Sequence, residues 1–290
     1  MRVALFAAGG EIPRRALRAL HGAAEVVAIV RARPGGLIGA VRSFVRGPDT
    51  LSQEARALGI PVWPMRGRED PLIAERLRAT KVDLSCIATF PWPLGESVLA
   101  AARLATINVH SSLLPRHRGP NPLFWTYHSD DREAGVTVHL ASAAVDAGPI
   151  LAQARWPLAR GRSILSLHSQ IAEQGAALLP PILARWEAGD PDAQAQDSRG
   201  ATSAPRVTPG QRMLDPGWPA ERTWHFLRGL VGQHVEPLIC DRTSVPYRAV
   251  TGFECGQFSG EPGDVVRARD NRGWVLRCID GAVFIAGAAD

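Results

Sequence analysis

Lysine is almost absent from this chain. Lys81 stands alone, and the other 32 of the 33 basic side chains are arginine. Such an excess reads as compositional bias rather than a surface selected for positive charge. Cysteine is scarce as well. Cys86, Cys240, Cys255 and Cys278 include no pair at CxxC spacing, so neither a zinc site nor a redox motif is indicated and reduced, structural thiols are expected. No run of 18 apolar residues occurs, which excludes a membrane-spanning helix. The stretch Met1–Gly10 briefly imitates a secretion signal, but Glu11, Pro13, Arg14 and Arg15 follow at once. A first buried strand and a cytoplasmic protein are expected instead. A complete GxGxxG is missing too. The first strand runs into Ala8-Gly9-Gly10-Glu11-Ile12-Pro13, and the second ends Ala28-Ile29-Val30-Arg31 without an acidic residue. A tight turn fits this better than a dinucleotide grip, and a dehydrogenase is disfavoured. No internal repeat is visible.

What is present describes an ordinary globular protein. The chain has 290 residues, 46% hydrophobic and 21% charged, with a mean hydropathy of −0.05. That is one large domain or two modest ones, with enough chain to bury a core. The net charge of +5 is unevenly spread. Residues 206–290 carry ten basic and ten acidic side chains, and the whole excess lies before them. A tail built to grip a nucleic-acid backbone would be clearly basic.

The first half alternates strand and helix signals. Apolar strands are expected at 2–7, 25–30, 61–63, 82–89 and 104–110, with helices at 13–20, 51–58 and 70–78 between them. That alternation predicts a mostly parallel, Rossmann-like α/β sheet covered by helices. Strands at 135–140 and 150–158 follow. A helical pattern over 163–186 is interrupted by Pro180-Pro181, which should kink or break it. The polar stretch 190–205 reads as a linker. It separates an N-terminal catalytic domain (1–189) from a C-terminal domain (206–290). There a helix at 220–230 precedes short β segments at 235–239, 247–253, 264–267, 273–278 and 282–286, as in a small OB-like β-barrel.

The polar end of the 104–110 strand is the first chemical signal. Residues i and i+2 of a strand share a face, so Asn108 and His110 project together where parallel strands present ligands. Asn offers an amide donor, and His a donor or a proton acceptor near neutral pH. The alternative is structural: Asn108 capping a turn, His110 bonded in the core. The stiff loop Ser111–Pro122 follows directly and contains Pro115, Arg116, Arg118, Gly119 and Pro120. Asp146 stands beside the turn Ala147-Gly148-Pro149. If it meets His110, it would orient the imidazole and favour its charged form.

These segments together resemble the folate-dependent formyltransferase family. The motifs are Asn108-Val109-His110, then Ser112-Leu113-Leu114-Pro115-Arg116-His117-Arg118-Gly119, then Gly135-Val136-Thr137 and Asp146-Ala147-Gly148. The family includes methionyl-tRNA, sugar and glycinamide ribonucleotide formyltransferases, and the local match is nearest to the first two. Residues 212–220 with 227–229, 262–265 and 278–281 also resemble the C-terminal domain of methionyl-tRNA formyltransferase. The resemblance implies transfer of a formyl group from 10-formyltetrahydrofolate to an amine, with Asn108, His110 and Asp146 as catalytic residues and no metal. It implies a folate slot lined by Phe90, Trp92 and Leu94, by Ser112, Leu113, Leu114 and Pro115, and by Val145 beside Asp146.

Two departures bear on the acceptor. Where methionyl-tRNA formyltransferases carry a Lys/Arg-rich loop after the second strand, this chain has the partly apolar, lysine-free stretch Arg33–Phe44. The C-terminal segment is neutral. Against these stand Arg31, Arg33, Arg42 and Arg46, which could touch phosphates. The balance favours a small amine acceptor, such as an amino sugar or an amino-acid precursor, with Arg116 and Arg118 either pairing with its phosphate or carboxylate or anchoring their own loop. Initiator methionyl-tRNA is the alternative acceptor. A formyltetrahydrofolate hydrolase and a non-catalytic folate-binding module are the other-class readings. The oligomeric state is not legible.

Overall fold

The first strand, β1 (Arg2–Ala7), is a continuous apolar run, and every residue from Val3 to Ala7 is fully buried. Such a strand needs cover on both faces, as parallel sheets have. In the computed structural model, which describes residues 1–33, 50–231, 247–269 and 273–287, β1 is an interior strand of that sheet. β2 (Glu25–Ala32) and β3 (Val62–Met65) lie to one side. β4 (Leu84–Ala88), β5 (Ala105–His110), β6 (Glu133–Leu140) and β7 (Ile150–Pro157) lie to the other. The seven-stranded order is β3-β2-β1-β4-β5-β6-β7. Pairing is parallel from β3 to β5 and turns antiparallel between β5 and β6.

Helix α1 (Glu11–Ala23) buries Ile12, Ala16, Leu17 and Leu20, the spacing of a 3.6-residue period. Helix α2 (Thr50–Ala57) buries Leu51 and Ala55. Helix α3 (Pro71–Ala79) begins at Asp70, whose side chain accepts the Ile73 N–H, with Pro71 in its first turn. Ile73, Ala74 and Leu77 of α3, with Val98 of the short α4 (Glu96–Leu99), pack on Ala4 and Phe6 of β1. The sequence reading contains no helix at Pro122–His128 (α5), where Pro122 opens the first turn directly after the proline-rich loop. The double proline acts as expected. Helix α6 (Ile164–Ala177) stops, and α7 (Leu179–Glu187) restarts with proline in its first turn.

In the C-terminal part, helix α8 (Ala220–Leu230) precedes β8 (Tyr247–Cys255), β9 (Val265–Arg267), β10 (Gly273–Cys278) and β11 (Gly281–Gly287). These strands form an antiparallel sheet ordered β8-β11-β10-β9. Ala220 and Leu227 of α8 share its core with Val250, Leu276, Val283 and Ile285. The expected strand at 235–239, Cys240, and most of the 33–44 loop with Arg42 and Arg46 lie outside the described residues.

The chain divides into two compact units that interleave in sequence. One comprises residues 1–120, 135–156 and 168–203; the other comprises 121–134, 157–167 and 204–290. The stretch 190–205, expected as a linker, is bonded into the first unit for most of its length. Gln194 exchanges both backbone hydrogen bonds with Ile150, at 2.7 and 2.8 Å, and Arg118 forms a bridge with Ser203. Among the described residues no helix is long and apolar enough to cross a membrane.

The second unit holds a buried histidine with a pH consequence. His225 of α8 is fully buried, its Nδ1 accepts the Gly161 N–H at 2.9 Å, and its ring lies 5.0 Å from that of Tyr127. Burial, reinforced by the charge of Arg160, pushes its pKa down to about 4. The unfolded chain takes up this proton near the ordinary histidine value, so between the two values it binds more protons than the fold. The stabilisation is complete above about pH 6.5 and is lost as the pH falls toward 4. Urea midpoints measured from pH 7.5 to 4.5 should therefore fall more steeply for the wild type than for His225→Gln. Parallel curves would contradict this account.

Candidate active site

Strand register assembles the site. The antiparallel pairing of β5 with β6 sets Asn108 opposite His139 and His110 opposite Thr137. Cross-strand partners share a face, so four polar side chains meet there, and His110, Thr137 and His139 are all buried. The chain then leaves β6, turns through 141–149, and brings Asp146 back over them.

Asp146 is the convergence point. Its Oδ1 accepts from Asn108 Nδ2 at 3.1 Å, and its Oδ2 accepts from the Gly119 N–H at 2.8 Å. His110 Nδ1 stands 3.5 Å from Oδ2, and His139 Nε2 stands 3.4 Å from Oδ1. Burial disfavours the charged carboxylate, but the donors around it, the Gly119 N–H among them, outweigh it, and the pKa lies below the ordinary aspartate value. For His110 the balance is reversed. Burial pulls its pKa below the ordinary value, and the opposing pulls of Asp146 and the His117 carbonyl do not fully restore it.

Hydrogen-bond partners fix the proton positions. His110 Nε2 lies 2.9 Å from the His117 carbonyl, which can only accept, so Nε2 carries a proton. His139 Nδ1 lies 2.8 Å from the Leu140 carbonyl and is protonated for the same reason. Its Nε2 is then free to accept from Asn108 Nδ2, 3.1 Å away. Both Asn108 amide hydrogens thus have acceptors, one on His139 and one on Asp146. The opposite amide orientation would aim the Asn108 oxygen at a carboxylate.

Close backbone approaches explain the small residues of the motifs. A Cβ on Gly148 would sit 1.9 Å from the Leu140 carbonyl oxygen, so the return turn closes onto β6 only with glycine there. Gly119, at φ +127°, turns its N–H toward Asp146 from a conformation that side chains rarely adopt. Asp146 itself adopts φ +52°, a left-handed conformation uncommon outside glycine.

The expected folate-lining residues fall into distinct environments. Ser112, Leu113, Leu114 and Pro115 form a wound loop directly after His110. Within it the Ser112 hydroxyl donates to the Arg116 carbonyl at 2.7 Å. Thr137 Oγ1 pins this loop from β6. It donates to the Ser112 carbonyl at 2.7 Å and accepts from the Leu114 N–H at 3.1 Å and from Gln153 Nε2 at 2.8 Å. Phe90 packs edge-on against Phe6 and Trp92, with ring centres 5.7 and 5.4 Å apart. Leu94 is a core side chain, only 4% exposed, whereas Val145 is 48% exposed beside Asp146. Thr89 Oγ1 and Trp92 Nε1 are buried and have no hydrogen-bond partner. Arg118, read as available to an acceptor's charge, donates from Nε and Nη2 to Gln196 Oε1 at 3.1 and 2.7 Å. It is an anchor of its own loop.

Against this geometry stand the comparisons with known proteins. Residues 1–183 match the model of the formyl transferase family. The chain belongs to that family. It is 34% identical, over 81% of its own length and 74% of the relative's, to a methionyl-tRNA formyltransferase of Synechococcus sp. (strain JA-3-3Ab). It is 30% identical to that of Janthinobacterium sp. (strain Marseille), over 97% of this chain and 90% of the other. A crystal structure of the N-formyltransferase from Helicobacter canadensis, in complex with folinic acid and dTDP-3-aminofucose, superposes with a TM-score of 0.74. That likeness covers 98% of both chains at 14% identity and speaks for the fold. The formyltransferase fold and enzyme class expected from the motifs are thereby established.

His139, Gln153 and Gln196 carried no role in the sequence reading. For His139 a signal existed: it lies two residues after Thr137 on an expected strand, hence on one face with it. Nothing in the sequence revealed which strand would stand opposite. Replacing Thr137 by Val keeps the shape but strands the Leu114 N–H, an unpaired buried donor costing about 1–3 kcal/mol. Thr137→Val should lower the unfolding free energy by that amount in denaturant titrations. An unchanged midpoint would show that the loop is held otherwise. Replacing His139 by Phe frees Asn108 and should lower turnover at least about tenfold with melting preserved. A wild-type rate would remove His139 from the site.

Proposed function

We propose that this formyltransferase moves the formyl group of 10-formyltetrahydrofolate to the amine of a small molecule, such as an amino sugar or an amino-acid precursor, using Asn108, His110 and Asp146. The observation that carries the catalytic assignment is their convergence. A largely buried carboxylate, an imidazole and a carboxamide meet at the end of β5, inside the family-matched region.

The residue types suit the reaction. As the amine nitrogen bonds to the formyl carbon, the formyl oxygen gains negative charge. The Asn108 Nδ2 and His110 Nε2 hydrogens rest on acceptors within the site, those of Asn108 on His139 and Asp146 and that of His110 on the neutral His117 carbonyl. A charged oxygen binds a donor about twice as strongly as a neutral one, so the developing oxyanion competes for the hydrogens that rest on His139 and on the His117 carbonyl. Each such donor is worth about 3–4 kcal/mol in the transition state. Asp146, held in its charged form, orients His110 and accepts the proton that the amine sheds, directly or through water. When the carbon–N10 bond breaks, the proton passes to the leaving nitrogen.

For the donor, the Thr89–Leu94 segment offers the apolar Phe90 together with the unpartnered Thr89 hydroxyl and Trp92 indole N–H. That combination fits a polar aromatic heterocycle. Ser112–Pro115 and Val145 complete the proposed lining. The three described cysteines, Cys86, Cys255 and Cys278, are free thiols, in keeping with a cytoplasmic setting.

The small acceptor is supported by charge. Residues 206–290 carry ten basic and ten acidic side chains, without the positive excess that contact with a nucleic-acid backbone uses. The second reading, initiator methionyl-tRNA as acceptor, is favoured by identity to methionyl-tRNA formyltransferases over nearly the whole chain. Tetrahydrofolate release from 10-formyltetrahydrofolate, measured with and without initiator methionyl-tRNA, separates the two. The small-acceptor reading expects no stimulation by the tRNA and stimulation by an amino sugar or amino acid. Formylated tRNA would overturn it, and stoichiometric formate without any acceptor would indicate a hydrolase. Asn108→Ala and His110→Ala should each lower turnover at least about 100-fold with melting unchanged. Near-wild-type rates in both would remove the catalytic assignment. Asp146→Asn should lose rate more than folate affinity.

A further inference from the structure

The stretch Gln194–Ser203 runs along both loops that carry the site. The Arg118 N–H donates to the Thr202 carbonyl at 2.8 Å, and the His117 N–H donates to Thr202 Oγ1 at 2.8 Å. One side chain in this stretch bonds to the Asp146 turn itself. Gln196 Nε2 donates to the Asp146 carbonyl at 2.9 Å and to the Gly148 carbonyl at 2.7 Å. Its Oε1 accepts the two Arg118 N–H groups. Two donors and two acceptor positions are all a carboxamide has, so the amide is saturated and its orientation is fixed by its partners.

We infer that Gln196 is a positioning residue for formyl transfer, clamping the Asp146 turn to the Arg118 loop so that the carboxylate stays in line with His110 and Asn108. The inference rests on the catalytic reading of Asp146 given above. Its physical basis is the left-handed backbone of Asp146. A residue held at φ +52° persists when surrounding bonds over-determine it. Gln196 supplies side-chain hydrogen bonds to the carbonyls of Asp146 itself and of Gly148. The Gly119 N–H that meets Asp146 Oδ2 comes from the residue after Arg118, so the same amide aligns both sides of the carboxylate's contact.

Gln196→Glu tests the clamp. It keeps the size and still accepts from Arg118, but turns the donating end into a second acceptor facing two carbonyls. Misplacement of a catalytic group by about 1 Å can cost about 100-fold. The expected result is a kcat at least about tenfold lower, with KM for the folate within about threefold and melting preserved. Gln196→Met removes the donors without adding charge and serves the same purpose if the glutamate variant does not fold.

The readout that a merely structural role would leave alone is the titration of the His110 ring, followed by NMR. The groups facing it are Asp146 from the return turn, His139 from β6 and His117 from the loop after β5. Of these only Asp146 brings negative charge, so withdrawing it should move the His110 midpoint to lower pH. Asp146→Asn sets the full extent of that shift. Because Gln196 acts through Asp146, adding Gln196→Glu to Asp146→Asn should slow the enzyme little further. A wild-type kcat and His110 midpoint in the folded Gln196 variants, or a full additional loss on top of Asp146→Asn, would overturn the inference. If Asp146→Asn itself left turnover unchanged, the catalytic reading would fail instead, and the two failures are distinct.

Discussion

The site depends on one largely buried carboxylate that has to remain charged. Asp146 sits in a low-dielectric position, where an unpaired charge costs several kcal/mol. It is stabilised by the Asn108 amide and the Gly119 N–H, and the rings of His110 and His139 flank it within 3.5 Å. The partners come from three stretches of chain, so the carboxylate is a keystone for β5, β6 and the Pro-rich loop as much as a reagent. Its lowered pKa and the lowered pKa of His110 have different causes. Hydrogen bonds prevail over burial at Asp146, and burial prevails at His110.

The scaffold supplies what that arrangement needs. A parallel sheet buried on both faces is rigid, and β5 ends in it with Asn108 and His110 on one face. The switch to antiparallel pairing at β6 is what brings Thr137 and His139 opposite them. Thr137 then fixes the loop on which the expected folate contacts Ser112–Pro115 lie, with every capacity of its hydroxyl used. Glycines stand where backbones approach too closely for a side chain. A Cβ on Gly148 would strike the end of β6, and one on Gly135 would sit 2.2 Å from the Leu113 side chain. The motif Gly135-Val136-Thr137 is therefore a packing requirement and a hydrogen-bonding requirement in three residues.

Formyl transfer to an amine asks little of a protein beyond donors for a developing oxyanion and a route for one proton. The Asn108 and His110 hydrogens are held on acceptors within the site. Turning toward the oxyanion exchanges bonds to neutral acceptors, the His139 ring and the His117 carbonyl, for stronger ones to a charged oxygen. The choice of acceptor is a separate matter, decided by surfaces rather than by this chemistry. The neutral charge balance after residue 206 bears on it and the catalytic residues do not.

The sequence by itself determined the α/β alternation, the break at Pro180-Pro181, the helix and strands of the C-terminal part, and the shared face of Asn108 and His110. Those features follow from local periodicity and from proline's missing N–H, which need no knowledge of distant residues. With the family's motifs it also marked Asp146. Only the tertiary structure decided that His139 belongs to the site, because register between β5 and β6 is a long-range property that neither strand encodes alone. Only it could decide between the two readings of Arg118 in favour of the loop anchor, and give Gln196 a task. Gln196 lies 50 residues from Asp146 in sequence, in a polar stretch whose composition reads as a linker. A hydrogen bond across such a separation leaves no periodic trace, since it depends on where the folded backbone puts two carbonyls rather than on the residues beside the glutamine.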